Sequence, residues 1–523
     1  MTDDVEPAAR EDIAKSQPAS RLLVILLVIS ALLFVSLAVL KIEQLNKPPT
    51  ITPNAKIDAA DLQTIDGLGA SGAWWSGPIY LMSKLSRARV GELLFSKSGL
   101  ALSQFRYNIG GGGVGVTTPW KAPPTFLQDN GSYDFTSDPA GIFFLKMARQ
   151  YGVSGLVGFV NSAPSQFTTN GLNCGGKLNP QDINAYARYL VNVVKGIKSN
   201  FGIDLSYVSP FNEPDFSMAP CKQEGMRVPI VERARLISVL GPELARSAPW
   251  CHIIADESSQ IAFQMLPELP KWINRFGAKK YVAVLAHHSY DYPGPRVLSY
   301  MKKQVFKLGM KSWMTEICCY NGSKFGYQYD PTMRQGMWLA KSIYNDFVFG
   351  GDSAFDWWTA ISPNLGCDPA AAPTCPDNAN ILGRNDGLIY YDINFLNDGN
   401  QKFYLTKRYF VFGNFSKFVR PGSVLHVVSG LPKGIVALAT EKQGSWSLVV
   451  VDDRPPTAPA QALRISIPSK LRFLRISATA LTNAKVSWAK VSNAAISSND
   501  IISLTSFGQS VSSIEVIPTL GHR

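Results

Sequence analysis

Eight short apolar runs, rich in β-branched residues, alternate with longer segments of helical periodicity from residue 58 onward. This alternation is typical of repeated βα units, whose strands form a parallel sheet. The runs are Thr64–Ala70, Ala101–Asn108, Gly155–Asn161, Tyr207–Asn212, His252–Asp256, Val282–Ser289, Ser312–Glu316 and Ala354–Trp358. Eight such units over about 350 residues predict an α/β fold, a (β/α)₈ TIM barrel with long loops.

Two of the intervening helices have recognisable starts. Asn179 and Asp330 each precede a proline, which places a capping side chain before a proline at the first helical position. After Asn179, apolar residues recur at steps of three and four, which predicts a helix with one apolar face.

The pattern changes after about Phe418, where short runs are separated by glycine, proline and serine. These runs are Val424–Val428, Ile435–Ala439, Trp446–Val451, Leu463–Ile467 and Ile514–Ile517. They predict a β-sandwich over residues 418–523, attached to a catalytic barrel over residues 58–417. Residues 50–62 are too few for a domain of their own and are a candidate for an additional strand of the sandwich.

The amino terminus contains an uncharged apolar stretch, Leu22–Leu40. At 1.5 Å per residue it reaches roughly 28 Å, close to the hydrocarbon thickness of a bilayer, and so predicts a transmembrane helix. A cleaved signal peptide is the alternative, although residues 1–20 are rich in acidic side chains where a signal peptide is basic. We therefore expect a tail over residues 1–21, a membrane anchor over residues 22–40 and a stalk over residues 41–57. The catalytic domain is then expected outside the cytoplasm, periplasmic or extracellular, and secreted if the anchor is cleaved.

Charge and motif content narrow the classes of partner and cofactor. The formal charge of +12 suits an anionic partner, but the chain has no Lys/Arg-rich run, zinc-finger spacing or aromatic RNA-binding signature, so nucleic acid is not expected. The run Gly110–Gly113 lacks the Gly-Lys-Ser/Thr of a phosphate loop and is expected to let the backbone approach substrate. No histidine or carboxylate spacing fits a metal, so neither a metal nor another cofactor is predicted.

Seven cysteines leave at least one thiol unpaired within a monomer. Cys174 with Cys221, and Cys367 with Cys375, fall in predicted loops and are either bridged or free. Cys251 begins an apolar strand and is expected in the core.

Two glutamates end predicted strands, at the rim where a (β/α)₈ barrel carries its catalytic groups. Glu213 ends the fourth run, and Pro214 keeps it out of the right-handed helical region. Glu316 ends the seventh run. Because strands four and seven face each other across the mouth, one carboxyl can protonate a leaving oxygen while the other attacks carbon, as in a retaining glycosidase.

An ordered set of motifs accompanies these glutamates: Ile65–Trp75, Phe105–Gly112, Asn212–Pro214, His288–Tyr290, Trp313–Ile317 and Phe415–Gly422. Together they resemble glycoside hydrolase family 30, within the clan A of retaining (β/α)₈ enzymes, over about residues 50–523. The resemblance implies that Glu213 is the acid/base and Glu316 the nucleophile. It also implies that Asn212 hydrogen-bonds the sugar 2-hydroxyl and that Arg106 keeps Glu316 anionic and oriented.

Further side chains are expected to contact substrate at the mouth. His288 and Tyr290, at the end of strand six, could hydrogen-bond the nucleophile or the sugar. Trp358, ending strand eight, is expected to stack on a sugar ring. Trp74 and Trp120 lie on mouth loops and either contact sugar or pack beneath a loop.

Two departures from the family pattern limit the transfer, and one histidine is expected to lie outside the site. Asn161–Phe167 stands where relatives carry a bulkier Pro-Pro-x-Trp, so one sugar subsite is expected to differ. Cys318-Cys319, just after the nucleophile, could bridge each other, pair elsewhere or stay reduced. His287 alternates to the other face of its strand and is expected to be a core histidine.

The leading hypothesis is a membrane-anchored retaining endo-glycosidase that hydrolyses a β-linked polysaccharide. Gly72–Trp75 and Ser209–Pro214 look most like the endo-β-1,6-galactanase group, whereas β-1,6-glucanase, xylanase and glucosylceramidase activities occur in the same family. A tethered, non-catalytic glycan-binding protein is the alternative class, and transglycosylation is an alternative reaction of the same residues.

Overall fold

The computed structural model describes residues 26, 28–37, 39, 50–51, 55–319, 327–468 and 474–519. It divides into two units, Met1–Thr50 and Ile51–Arg523. In the first unit residues 28–37 are helical, but among the described residues no helix is long and apolar enough to cross a membrane. The anchor predicted over residues 22–40 is therefore not supported, and parts of it lie outside the described residues, as do the tail over residues 1–21 and most of the stalk.

The strands are short and lie almost entirely in the second unit. In chain order they are β1 (Thr50–Ile51), β2 (Ala55–Ile57), β3 (Gly67–Ser71), β4 (Gln104–Ile109), β5 (Gly155–Val160), β6 (Gly176–Lys177), β7 (Tyr207–Ser209), β8 (Met226–Arg227), β9 (His252–Ser258), β10 (Val282–His288), β11 (Ser312–Glu316), β12 (Ala354–Trp357), β13 (Ile361–Ser362), β14 (Ile389–Tyr391), β15 (Phe403–Leu405), β16 (Val424–Ser429), β17 (Ile435–Lys442), β18 (Ser445–Asp452), β19 (Gln461–Ser466), β20 (Leu474–Thr482), β21 (Ala495–Ile496), β22 (Ile501–Ser506) and β23 (Ser510–Pro518).

The α-helices of the second unit separate the barrel strands. They are α1 (Ser76–Tyr80), α2 (Lys84–Phe95), α3 (Pro139–Gln150), α4 (Ile183–Phe201), α5 (Ile230–Ser247), α6 (Leu266–Trp272), α7 (Pro295–Lys307), α8 (Met333–Asn345), α9 (Phe395–Asp398) and α10 (Lys407–Ser416). Helix α4 buries one apolar face, including Tyr186, Leu190 and Val194, as its periodicity predicts. Helix α8 is capped by Thr332 rather than by Asp330; Asp330 accepts the Thr332 amide and hydroxyl hydrogen bonds in the preceding turn, so the predicted cap is displaced by two residues.

Strands β3, β4, β5, β7, β9, β10, β11 and β12 close into a barrel in that order around the ring. Every neighbouring pair is parallel, which confirms the predicted (β/α)₈ barrel. All eight carboxyl ends consequently meet at one rim. The fourth strand ends at Ser209 rather than at Asn212. Residues 210–214, including Glu213, therefore lie beyond the end of the strand.

The carboxyl-terminal region is β-rich and forms a continuous sheet in the order β20-β23-β18-β17-β16-β2-β19-β22-β21. Leu448 and Ile514 from one half share an apolar core with Leu463 and Ile502 from the other, so the sheet closes over itself. Strand β2 pairs antiparallel with β16 and parallel with β19, so residues 50–62 contribute a strand to this sheet as predicted, although residues 55–57 were also assigned to the stalk. Strands β20 and β22 were not among the predicted runs.

Helix α10 joins the barrel to this sheet. Asn414 donates a hydrogen bond to the Ala480 carbonyl oxygen at 2.9 Å, and Ser416 donates one to the Leu100 carbonyl oxygen at 2.6 Å. Because one helix is hydrogen-bonded to both parts, the barrel and the β-rich region belong to one compact unit.

Six cysteines are paired in the structure. The bridges are Cys174–Cys221, Cys367–Cys375 and the vicinal Cys318–Cys319. Cys251 is free and buried, as expected for a core residue.

Candidate active site

Glu213 and Glu316 extend from opposite sides of the barrel rim. Glu316 is the last residue of β11, whereas Glu213 follows β7 with a backbone φ of +43°, outside the right-handed helical region. The Glu213 amide donates to the Glu257 carbonyl oxygen at 3.0 Å, which fixes this turn to the end of β9. A carboxyl oxygen of Glu213 and one of Glu316 lie within 4.8 Å of each other, so both can reach one bond.

Arg106 on β4 supplies the positive charge beneath these carboxyls. Its guanidinium is fully buried and donates to Glu316 Oε2 at 2.9 Å, to Asn212 Oδ1 at 3.2 Å and to Glu257 Oε1 at 3.4 Å. Its centre also lies 4.3 Å from the ring of Phe159. Burial alone would lower the pKa of Arg106, but the charges of Glu257 and Glu316 outweigh burial and raise it. Arg106 therefore remains a cation that orients Glu316.

His288 sits among three carboxylates. Its Nε2 is 3.1 Å from Glu257 Oε2, and its Nδ1 is 3.3 Å from Glu213 Oε1 and 3.7 Å from Glu316 Oε1. Burial would lower the pKa of His288, but the charge of Glu316 and hydrogen bonds to Glu213 and Glu257 raise it to about 10. The ring is thus an imidazolium that donates to Glu257 and Glu213, a role that the sequence did not specify.

Glu257 is a functional residue that the sequence reasoning missed. It is completely buried at the end of β9 and accepts a short hydrogen bond from the Thr315 hydroxyl. Burial would raise the pKa of Glu257, but Arg106, His288 and Thr315 together lower it to about 2. The available signal was its position, because it directly follows the fifth apolar run at the same rim as Glu213 and Glu316.

Asn212 and Tyr290 complete the contacts to the two candidate catalytic groups. Tyr290 donates its hydroxyl hydrogen to Glu316 Oε1 at 3.0 Å, opposite the Arg106 contact on Oε2. Asn212 uses its amide oxygen for Arg106, which leaves its NH₂ group for a ligand. His287 lies on the other face of its strand, buried, with Nε2 3.1 Å from Asp352 Oδ1.

Three tryptophans form one aromatic wall beside this cluster. The ring centres of Trp74 and Trp358 are 4.7 Å apart, and those of Trp74 and Trp120 are 6.0 Å apart. Lys121 Nζ lies 4.1 Å from the centre of the Trp74 ring and so occupies the face on which a sugar could have stacked. Trp74 and Trp120 line a cavity of about 330 Å³. Trp358 contacts Trp74 and Phe159, and its stacking on a sugar ring stays a prediction.

A protein-family model matches most of the barrel. The model for O-glycosyl hydrolase family 30 matches residues 53–368, more than half of the chain. The chain belongs to this family. It is therefore a glycoside hydrolase, and the clustered carboxyls at the barrel rim are its candidate catalytic groups.

Solved structures share the fold of this hydrolase at low sequence identity. A conserved exported protein from Bacteroides fragilis is 21% identical, with a TM-score of 0.74 over 89% of this chain and 100% of that chain. The catalytic domain of the family 30 xylanase C from Talaromyces cellulolyticus is 21% identical, with a TM-score of 0.67 over 89% and 100%. An endo-β1,6-glucanase is 17% identical, with a TM-score of 0.64 over 89% and 94%.

The glycine run of the hydrolase binds a buried carboxyl of the protein itself. The amides of Gly111 and Gly113 donate to the Glu224 carboxyl at 3.0–3.2 Å, so the loop surrounds an internal side chain. Burial raises the pKa of Glu224 to about 8, although the backbone hydrogen bonds oppose that rise. These two amides are therefore occupied by a protein carboxyl, and the approach of the glycine run to substrate stays a prediction.

The catalytic cluster offers oxygen and nitrogen atoms within reach of one another, as a cation site would. Glu213, His288 and Glu316 each place one such atom within 4.8 Å of the others. However, His288 is an imidazolium with no free lone pair, and Arg106 already neutralises Glu316. The donor set therefore does not suit a metal ion.

Proposed function

We propose that this glycoside hydrolase is a retaining endo-glycosidase that hydrolyses a β-linked polysaccharide, β-1,6-galactan, through a covalent glycosyl-enzyme intermediate. The observation that carries the proposal is the approach of Glu213 and Glu316 oxygens to within 4.8 Å. Retaining enzymes hold their carboxyls about 5–5.5 Å apart, whereas inverting enzymes need about 6.5–9.5 Å to admit water.

In the first step Glu316 attacks the anomeric carbon while the bond to the leaving oxygen breaks and Glu213 donates its proton to that oxygen. Arg106 and Tyr290 hold the attacking carboxylate in place. Burial raises the pKa of Glu213, the charge of Glu316 raises it further, and His288 opposes both. The raised pKa favours the protonated form of Glu213, which is the form that the departing oxygen needs.

In the second step water attacks the glycosyl-enzyme, Glu213 accepts the proton of that water and Glu316 leaves. Once Glu316 is esterified it has no charge, and its contribution to the raised pKa of Glu213 disappears. The pKa of Glu213 then falls, which suits its second role as a base. The same side chain thus works as acid and base because its neighbour changes charge.

Galactan is supported by the resemblance of Gly72–Trp75 and Ser209–Pro214 to the endo-β-1,6-galactanase group. The similar solved structures include a xylanase and an endo-β1,6-glucanase, so xylan and β-1,6-glucan are the competing substrates. The test is product analysis with β-1,6-galacto-, β-1,6-gluco- and xylo-oligosaccharides, with the anomer of the first product followed by proton NMR. We expect retained galacto-oligosaccharide products; a first product of inverted configuration would contradict the mechanism, and cleavage of another series alone would reassign the substrate.

Glu213→Gln and Glu316→Gln are each expected to abolish hydrolysis. If the unaltered protein binds glycan but does not hydrolyse it, the non-catalytic alternative is favoured. Added azide should rescue release from an activated aryl glycoside only in Glu213→Gln, as a β-glycosyl azide, because the nucleophile is intact there. Rescue of both variants in the same configuration would contradict their distinct roles.

We further propose that the catalytic domain acts outside the cytoplasm. The bridges Cys174–Cys221 and Cys367–Cys375 support this placement, because disulfides persist in oxidising compartments. Fractionation of cells producing the full chain tests it: activity should be found outside the cytoplasm, bound to membranes if residues 22–40 anchor the protein. Activity confined to the cytoplasmic fraction with reduced cysteines would contradict it.

A further inference from the structure

The wall beside Trp358 carries an ammonium group without an acidic partner. Lys121 Nζ lies 4.1 Å from the centre of the Trp74 ring and 5.1 Å from that of Trp120. Within the described part of the chain it has neither an ion pair nor a hydrogen bond. Trp74 packs edge-on against Trp358 with ring centres 4.7 Å apart, so the Trp74 ring lies between Lys121 and Trp358.

Asp386 approaches the same wall from the loop after strand eight. Its carbonyl oxygen accepts the Thr359 amide at 2.6 Å and Trp357 Nε1 at 2.8 Å, which ties it to the end of β12. Asn364 donates to its Oδ2 at 2.6 Å and the nearby Ser362 hydroxyl also lowers its pKa, whereas no donor among the described residues has hydrogen-bond geometry to its buried Oδ1. The whole residue is 7% exposed. An unpaired buried carboxyl oxygen is costly and requires an explanation, such as a ligand that completes it.

Lys121 and Asp386 influence each other without touching. Burial lowers the pKa of Lys121 and raises that of Asp386, and the charge of each opposes the shift in the other. Yet their nitrogen and oxygen atoms are more than 4.0 Å apart, since they form no ion pair. A hydroxyl group needs about 2.7–3.0 Å to each of two partners. A sugar hydroxyl placed between them would accept a hydrogen bond from the ammonium and donate one to the carboxylate.

We propose that Lys121 and Asp386 form a sugar-binding subsite that holds one hydroxyl of a neutral glycan residue between them, against the tryptophan wall. This inference rests on the proposed glycosidase function and names its recognition chemistry. A donor and an acceptor at the edge of an aromatic wall suit the hydroxyl edge of a sugar ring.

A neutral sugar is favoured over an acidic one by the presence of Asp386. Arg384 and Lys222 add positive charge near Lys121 and would suit a carboxylate or sulfate substituent. The Asp386 carboxylate would repel such a group at the position where the unpaired Oδ1 lies. The two possibilities predict opposite effects of removing the Asp386 charge, which makes them separable by experiment.

The test measures oligosaccharide binding by calorimetry to the full chain carrying Glu316→Gln, so that no ligand is consumed. Neutral β-1,6-galacto-oligosaccharides are compared with the same oligosaccharides capped by a uronic acid. Lys121→Met and Asp386→Asn should each weaken binding of the neutral ligand at least tenfold. Because both groups bind the same hydroxyl, removing the second should add little to removing the first. The affinity of the double variant should be no more than about threefold below that of whichever single variant binds more weakly.

Lys417→Met is the matched control. Lys417 Nζ lies 4.0 Å from the Trp488 ring, at the junction with the β-rich region, so its removal deletes a similar contact away from the mouth. Its binding should equal that of the parent protein. If Lys121→Met unfolds, as judged by its melting temperature, Lys121→Arg replaces it and should weaken the neutral ligand by a smaller factor.

Two results would overturn the subsite. Tighter binding of the uronate-capped ligand to Asp386→Asn, with weaker binding to Lys121→Met, would make it an anion site. Binding of a neutral series that neither substitution changes would give the two residues a purely structural role. The gluco- and xylo-oligosaccharides are measured in parallel to separate the subsite from the galactan assignment. If one of these series binds instead and responds to both substitutions, only the galactan assignment changes. If no neutral series binds, both the subsite and the galactan assignment are overturned.

Discussion

Glu257 and Glu224 are both buried glutamates in the region of the barrel rim, yet their environments have opposite effects. Glu257 faces Arg106 and His288 and has a pKa lowered to about 2. Glu224 accepts hydrogen bonds from backbone amides of the glycine loop and has a pKa raised to about 8. Burial raises the pKa in both cases; full positive charges overcome it and neutral amides do not. The comparison shows that charge in the catalytic cluster is sustained by its cations rather than by hydrogen bonding alone.

The largest expected effect comes from removing the central cation. Arg106→Met leaves Glu257 and Glu316 buried without their partner, so we expect kcat/KM to fall by about 10³-fold or more and stability to fall by about 3–5 kcal/mol. Steady-state kinetics and urea unfolding measure the two effects. Arg89→Met is the control, because Arg89 and Glu92 form an exposed pair that contributes at most about 1 kcal/mol. Activity within tenfold of the parent enzyme would show that cations do not sustain the cluster.

A smaller effect is expected when the third carboxylate loses its charge. Glu257→Gln should lower kcat/KM by about 10–100-fold, since hydrogen bonds to charged groups contribute about 1.5–3 kcal/mol. Because Glu257 helps to raise the pKa of His288, that pKa should fall in the variant. Proton NMR titration of the imidazole measures the shift. If the pKa of His288 is unchanged in the variant, Glu257 does not position or charge the imidazole.

Glu224→Gln should change pH dependence rather than activity at its optimum. A raised carboxyl pKa stabilises the native state at low pH, and that contribution is lost as pH rises from about 4.5 to about 8. Relative to the parent protein, the variant should therefore gain melting temperature across this interval. Glu257→Gln should show the reverse: a deficit at neutral pH that disappears as pH falls from about 4.5 towards about 2. If the melting temperatures of the two variants, relative to the parent protein, changed with pH in the same direction, the contrast between Glu224 and Glu257 would be wrong.

The smallest effect is expected at Asp356, on the eighth strand. Both of its carboxyl oxygens lack a hydrogen-bond partner among the described residues, and burial raises its pKa to about 8. It is thus mostly a neutral acid at pH 6, where Asp356→Asn should change kcat/KM by less than about threefold. Kinetics at pH 6 check this. A loss as large as that of Glu257→Gln would mean that Asp356 is ionised and belongs to the charged cluster.

The barrel and the positions of its two main carboxyls were predictable because the information is local. Strand periodicity identifies the eight runs, and the residue that follows a parallel strand lies at the common rim. Glu257 was missed because its run was ended two residues early, at Asp256, although β9 continues to Ser258.

Other features depend on partners far away in sequence. Glu224 lies 111 residues from Gly113, and no local pattern connects a glycine run to a distant carboxyl. Likewise the sequence left Trp74 free to stack on sugar, whereas Lys121 covers its face in the structure. Hydrophobicity alone likewise predicted a membrane helix over residues 22–40, which the described residues do not support. Sequence reasoning therefore found where the site lies and paired Arg106 with Glu316, but it did not find the roles of Glu257 and His288 in setting the other charges.

The most direct test of the account is to trap the covalent intermediate. The enzyme is treated with an activated 2-deoxy-2-fluoroglycoside of the sugar it cleaves, because the fluorine slows the second step more than the first when the leaving group is good. Intact mass should increase by one fluoroglycosyl unit, and peptide sequencing should place it on Glu316, with Glu213→Gln still labelled and Glu316→Gln unlabelled. A label on Glu213 or Glu257, or turnover with inverted product and no adduct, would contradict the central claim that Glu316 is the nucleophile.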